Sequence, residues 1–172
     1  MQKWEHIQSK IVSAEEARVI ISSWQDNGEK VVFTNGCFDI LHRGHVTYLA
    51  KAASKGRHLV LGINSDASVR RQNKGPERPI NDEQSRALVV ASLEVISLVV
   101  VFDNDTPLEL IKFLQPAILA KGADYDATVT DENHPKYIVG SKEVKEKGGS
   151  VITIPLEEGC STTNIVRKLK GS

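Results

Sequence analysis

The chain has 172 residues, with 22 Lys and Arg against 22 Asp and Glu and only 2 Cys. Such a length suits one α/β-sized domain that buries roughly 70% of its unfolded surface, so neither a disulfide nor a structural metal is needed for folding. Zero net charge argues against sequence-independent nucleic-acid binding, which needs surplus Lys and Arg to neutralise phosphates, and leaves small anions as the expected ligands.

Residues 1–10 carry charges and Trp4 but no apolar run, so neither a secretory signal nor a membrane anchor is expected there. The longest apolar stretch, 98–102, is too short to span a bilayer. A cytoplasmic protein without membrane or nucleic-acid partners is the expectation. No repeat or Pro/Gly-rich linker divides the chain, so residues 1–172 read as a single domain, with a helical extension over about 1–28.

Ser13 followed by Glu16 forms a capping box, and Ala17, Ile20, Ile21 and Trp24 recur at helical spacing until Asn27-Gly28 stops the helix. Residues 31–34 read as a buried strand. Val46, Leu49, Ala50 and Ala53 predict the next helix, ended by Lys55-Gly56, and 59–63 the next strand. Asn81 with Gln84 predicts a helix cap leading to about Glu94, and 98–102 a strand buried on both faces. Thr106, Pro107 and Glu109 supply cap, first-turn proline and capping-box acid for a further helix. Strands at 117–120 and 151–154 complete a set of about five. A polar loop is expected over 126–135, followed by a helix around 141–147. Alternating strands and helices predict a Rossmann-like, doubly wound αβα sandwich with a parallel sheet, whose ligand crevice lies beyond the carboxyl ends of the strands.

The segment after the first strand, Thr34-Asn35-Gly36-Cys37-Phe38-Asp39-Ile40-Leu41-His42-Arg43-Gly44-His45, runs straight into a helix. First-turn amides and the helix dipole favour an anion there. Gly44 would let a phosphate approach the backbone, while His42 and His45 could donate to charge that moves during phosphoryl or nucleotidyl transfer. A histidine pair taken alone is more often a cap and a surface residue, but its place at the crevice favours function. A closed zinc site lacks an evident third ligand. Ser161-Thr162-Thr163 offers a second helix N-terminus with hydroxyl donors. Residues 70–86 hold Arg70, Arg71, Lys74, Arg78 and Arg86, partly offset by acids, and Gly75-Pro76 suggests a loop able to close over substrate. Cys37 and Cys160 read as reduced thiols without activating partners.

The Gly36-Cys37-Phe38-Asp39 turn and the His42-Arg43-Gly44-His45 signature resemble those of nucleotidyltransferases. The likeness extends to Asn64-Ser65-Asp66, Arg78-Pro79, the Arg86 helix, Lys121-Gly122-Ala123-Asp124-Tyr125, Gly140-Ser141-Lys142 and Gly159-Cys160-Ser161-Thr162-Thr163-Asn164-Ile165. Together these resemble the adenylyltransferase domain of the bifunctional heptose kinase/adenylyltransferases of lipopolysaccharide synthesis. The resemblance implies transfer of AMP from ATP to D-glycero-β-D-manno-heptose 1-phosphate, giving ADP-heptose and pyrophosphate with Mg²⁺, and a separate sugar kinase upstream. A homodimer is a further expectation.

The resemblance places His42, His45, Lys74 and Arg86 on the reacting phosphates, with Arg78 as a weaker candidate. Asn35, Gly36, Cys37, Phe38, Gly44 and Asn64 are expected in the nucleotide cradle. Asp39 either orients the turn or meets a hydrated Mg²⁺. Lys121, Gly122 and Asp124 are expected at the base or ribose, and Ser161, Thr162, Thr163 and Ile165 beside the triphosphate. The insert at 126–136 departs from the heptose enzymes and is expected to bear on acceptor choice. Cytidylyltransferases acting on glycerol 3-phosphate or a phospho-amino alcohol share the signature, but carry an arginine ahead of the last motif where this chain has Leu156-Glu157-Glu158. A non-catalytic nucleotide-binding module is the alternative of another class.

Overall fold

The computed structural model describes residues 2–72, 75–157 and 159–169, without the side chains of Thr163 and Arg167. The five apolar runs form five parallel strands: β1 (Val31–Gly36), β2 (His58–Asn64), β3 (Leu98–Phe102), β4 (Ile118–Gly122) and β5 (Ser150–Ile154). Their order, β3-β2-β1-β4-β5, reverses direction between β1 and β4. β1 is therefore central, and the crevice opens where its end meets that of β4.

Alternation along each strand feeds two cores. Val32, Leu61 and Ile63 face one side with Leu49, Ala87 and Val90, while Val31, Phe33 and Val100 face the other with Ile21, Leu110 and Leu114. Both faces of the sheet are thus covered by helices, which is why the strands read as continuous apolar runs.

The helices are α1 (Lys3–Gln8), α2 (Ala14–Asp26), α3 (Arg43–Ala53), α4 (Asp66–Arg71), α5 (Glu83–Ala91), α6 (Leu108–Leu114), α7 (Ser141–Glu146) and α8 (Thr162–Leu169). The Ser13–Glu16 capping box is formed, with Glu16 N donating to Ser13 Oγ at 3.1 Å and Ser13 N to Glu16 Oε2 at 2.8 Å. The N-terminal extension is stitched to the outer edge of the sheet, Val12 N bonding Val99 O at 3.0 Å and Val99 N bonding Lys10 O at 2.8 Å. An edge strand's unpaired backbone is covered this way.

Two caps differ from the sequence expectation. α5 is capped by Asp82, which accepts from Ser85 N at 2.8 Å, because the Asn81 amide is drawn to the Asp39 carbonyl at 2.6 Å. α6 starts after Pro107 without a side-chain cap, and Glu109 pairs with Lys112 at 3.0 Å instead of turning back. The short helix α4 was not expected from periodicity. The polar loop expected over 126–135 is formed, and the whole of 123–140 contains no helix or strand.

Candidate active site

Between β1 and α3 the chain turns across the carboxyl end of the sheet. Phe38 takes a left-handed backbone, φ 49°, a conformation that costs a bulky residue about 1–2 kcal/mol unless packing holds it. The packing is present: its ring lies so close over Gly36 that a Cβ there would meet Phe38 Cε2 at 2.9 Å, and it leans on the His45 ring at 5.0 Å. His42 occupies the cap position of α3, yet its side chain makes no cap hydrogen bond. The first-turn amides of Arg43 and Gly44 therefore remain for a ligand.

The His42 and His45 rings stack with centroids 3.8 Å apart, and Nδ1 of each is buried without a well-formed hydrogen bond. Burial holds the His42 imidazole below its usual range. Burial, and then the charge His42 would carry, push His45 down to about 4. At neutral pH both rings are uncharged, each with one N–H to donate.

A web of buried polar groups fixes this turn from behind. Asp39 is buried; its carboxylate accepts from Ile80 N and Asn81 N, each at 2.9 Å, and pairs with Arg78 Nε at 2.5 Å. Of the two roles expected for Asp39, orienting the turn is the one its contacts serve. Arg78 is accordingly spent inside the protein.

Arg86, expected at a phosphate, does not reach the crevice. Its side chain is 0% exposed and bonds Asp66 Oδ1 at 2.7 Å, Cys37 O at 2.8 Å and Asn81 O at 3.0 Å. It acts as a brace joining the end of β1, the start of α4 and the strap before α5. Lys74 lies outside the described residues.

Most of the other expected residues surround a cavity of about 830 Å³, within the usual range of roughly 300–1,000 Å³ for small-molecule sites. Asn35, Gly36, Cys37 and Phe38 line it beside His42, Gly44 and His45. Asn64 enters from β2, Lys121, Gly122 and Asp124 from β4, and Ser161 and Thr162 from the start of α8. Lys121 Nζ bonds Asn35 Oδ1 at 2.6 Å, bridging β4 and β1 where the sheet reverses. Ser161 Oγ accepts from Asn164 N at 3.0 Å, leaving its O–H to donate. Ile165 is half-buried on α8 and does not line the cavity, and the Thr163 side chain is not described.

Gly44, on the cavity wall, also has a packing role. A Cβ there would stand 2.8 Å from Cys160 Cβ and 3.1 Å from the His42 ring, so the missing side chain lets residues 159–162 close onto α3. Arg43 Nη2 near Cys160 Sγ at 3.8 Å and Lys51 paired with Glu157 at 3.2 Å hold the same two segments together. Neither thiol is in a disulfide.

The sequence profile described as cytidylyltransferase-like matches residues 33–168, from the first strand through the last helix. The chain belongs to the cytidylyltransferase-like family. It is 52% identical over 160 residues to Bifunctional protein HldE of Magnetococcus marinus, covering 93% of this chain and 31% of that protein. With Bifunctional protein HldE of Wolinella succinogenes it shares 49% identity over 165 residues, 96% of this chain and 32% of the other. The chain thus spans about a third of the length of these curated relatives. Among solved structures, the lipopolysaccharide core biosynthesis protein of Thermoplasma volcanium GSS1 aligns with TM-score 0.57 at 27% identity, covering 76% of this chain and 98% of that one. Pantoate-beta-alanine ligase of Francisella tularensis shares the fold, with TM-score 0.59 at 15% identity over 93% of this chain and 76% of its own.

In this cytidylyltransferase-like domain the cavity wall includes residues that sequence reasoning did not assign. Tyr48, whose Oη shares a 2.7 Å hydrogen bond with Thr34 Oγ1, is held up to about 12 chiefly by burial. Gln72, Asp105, Thr106 and Pro107 enter from the β2 and β3 side, and Tyr125, Val139, Leu156, Glu157 and Cys160 from the β4 and β5 side. Thr106 and Pro107 were visible as helix-start residues. The rule that residues just after a strand matter most would have found them, since they follow β3.

Mg²⁺ takes water and substrate phosphates plus one or two carboxylates rather than an all-protein cage. Asp124 offers one such carboxylate on the cavity wall, and among the described residues no three His, Cys, Asp or Glu converge on a metal position. This donor set fits an ion carried in on a triphosphate.

Proposed function

We propose that this domain transfers AMP from ATP to D-glycero-β-D-manno-heptose 1-phosphate, forming ADP-heptose and releasing pyrophosphate. The observation that carries the reading is the stacked pair of neutral histidines at the uncapped N-terminus of α3, opening on the crevice at the sheet's reversal. Its support in kind comes from the HldE relatives, near 50% identical over almost the whole chain. A sugar kinase must supply the 1-phosphate, whether on another polypeptide or on another part of the same one. Both substrates are small soluble anions of the cytoplasm, and no helix among the described residues is long and apolar enough to cross a membrane. Two copies of the chain would work as a homodimer.

In the reaction a phosphate oxygen of the acceptor attacks the α-phosphorus of ATP and the bond to the β-phosphate bridge breaks, so pyrophosphate leaves with that electron pair. No covalent bond to the protein is needed, which makes positioning and charge stabilisation the protein's work. The Arg43 and Gly44 amides, the two imidazoles and the Ser161 hydroxyl supply donors around the triphosphate. Because the imidazoles start neutral, an approaching polyanion favours their protonation, and they then neutralise charge accumulating on the leaving group. Bound with ATP, Mg²⁺ would neutralise part of the triphosphate charge, with Asp124 within the wall that holds it. Arg86 and Asp39 hold the turn so that these donors need no rearrangement when charge moves.

The test is pyrophosphate release in the presence of Mg²⁺, with ATP or CTP each paired with heptose 1-phosphate or glycerol 3-phosphate. Release is expected only with ATP and heptose 1-phosphate. Release only with CTP and glycerol 3-phosphate would contradict the reading, and nucleotide binding without release in any pair would point to another acceptor or to a non-catalytic binding module.

A further inference from the structure

The cavity has two chemically unlike halves on either side of the histidines. Toward β4 and β5 its wall includes Tyr125, Val139 and Leu156, flat or apolar surfaces suited to a nucleobase, beside the charged Lys121, Asp124 and Glu157. Toward β2 and β3 it presents Asn64, Gln72, Asp105 and Thr106, hydrogen-bonding side chains, with Pro107 beside them and no aromatic ring among these residues. Asp105 is the carboxylate of this half, as Asp124 and Glu157 are of the other, and it suits hydroxyl groups, from which it can only accept hydrogen bonds.

The segment that carries Asp105 is fastened to a degree its exposure does not require. Ser65 Oγ donates to Asp103 Oδ1, Ser68 Oγ donates to Asn104 O at 2.9 Å, and Ser65 N donates to Phe102 O at 2.8 Å. Arg71 donates from Nε to Asp105 Oδ1 at 2.6 Å and from Nη2 to Asp103 O. An isolated surface ion pair contributes little to stability, and Asp105 is 74% exposed. The arrangement makes sense as preorganisation: one carboxylate oxygen is held by Arg71, fixing the direction of the other.

We propose that the β2–β3 half of the cavity is the acceptor lobe, and that Asp105, aimed by Arg71, reads hydroxyl groups of the phosphorylated sugar. This rests on the nucleotidyl-transfer reading and names its specificity element. The acceptor lies with its phosphate toward His42 and His45, where the α-phosphorus sits, and its hydroxyl-rich body toward Asp105 and Thr106. Asp105 is the specificity residue, and Arg71 is a positioning residue.

The experiment compares wild type with Asp105→Asn, Arg71→Ala and Arg71→Lys in steady-state kinetics, using heptose 1-phosphate and a panel of its mono-deoxy analogues. Losing a charged hydrogen bond to a substrate hydroxyl raises KM for the sugar phosphate by roughly tenfold or more in Asp105→Asn, with KM for ATP and the Mg²⁺ dependence unchanged. One deoxy analogue that wild type discriminates against becomes equivalent to the parent sugar in Asp105→Asn, which a merely structural role would not produce. Arg71→Ala shifts the same KM less, and Arg71→Lys restores part of it. A rise in the KM for ATP or in the Mg²⁺ requirement instead, or no change in acceptor KM, overturns the proposal. Should wild type use a different phosphorylated polyol, the function reading fails while the same variant is scored on that acceptor. Should calorimetry show that wild type binds no phosphorylated polyol at all, the lobe assignment is overturned as well.

Discussion

His45 bears two opposing demands: packed against Phe38 and His42 it must stay uncharged, and at a triphosphate it must be able to gain a proton. With its imidazole at about 4 in the folded chain and about 6.5 when unfolded, the unfolded state binds the extra proton first as pH falls. Stability is therefore whole above the unfolded value and declines as pH drops from about 6.5 toward about 4. His45→Ala should remove that part of the decline, which melting temperatures of the two proteins across this window would reveal. The same substitution should lower kcat by roughly 100-fold or more, the usual scale for losing a transition-state donor. Near-wild-type turnover would remove His45 from the phosphates. The histidines and the glycine turn were legible in the sequence because their chemistry is local. Arg86 was not, since a basic residue on a helix looks the same whether it faces a ligand or, as here, Asp66 and two buried carbonyls.

Individual elements were read well where local rules decide them. Ser13 caps α2 as its sequence requires, and strands buried on both faces announced themselves as apolar runs. Failures occurred where a distant partner competes: Asn81 gives up its capping role to the Asp39 carbonyl, and six-residue α4 is held by Asn64, Ser65 and the 102–104 segment rather than by a periodic face. One tight long-range packing contact at the site lies between α3 and the segment leading to α8, across Gly44. Gly44→Ala should push residues 159–162 off α3, because its Cβ would stand 2.8 Å from Cys160 Cβ. The expected result is a higher KM for ATP with a melting temperature lowered by a few degrees, consistent with overpacking costs of about 1–3 kcal/mol. Unchanged nucleotide affinity would show that the contact is not needed to complete the cavity.

Across the whole molecule, the strand order places β1 at the centre, so one turn meets contributions from both wings of the sheet. Lys121 reaching Asn35 closes the β4 side, and Arg71 fixes the β3 side. The doubly wound fold could be anticipated from alternation alone, but the division of the crevice could not, because it depends on which strand exits face one another. The 126–136 insert, expected to bear on acceptor choice, follows Tyr125 directly and ends shortly before Val139, both of which line the β4 side of the cavity. Neutral overall charge agrees with a protein that gathers donors at one point rather than spreading a positive surface. The central claim is that the α-phosphorus of ATP is the atom transferred. The most direct measurement follows ATP labelled at the α- or the γ-phosphate, with heptose 1-phosphate and Mg²⁺. The account predicts α-label in the sugar nucleotide and γ-label in pyrophosphate; γ-label on the sugar, with ADP as co-product, would contradict it.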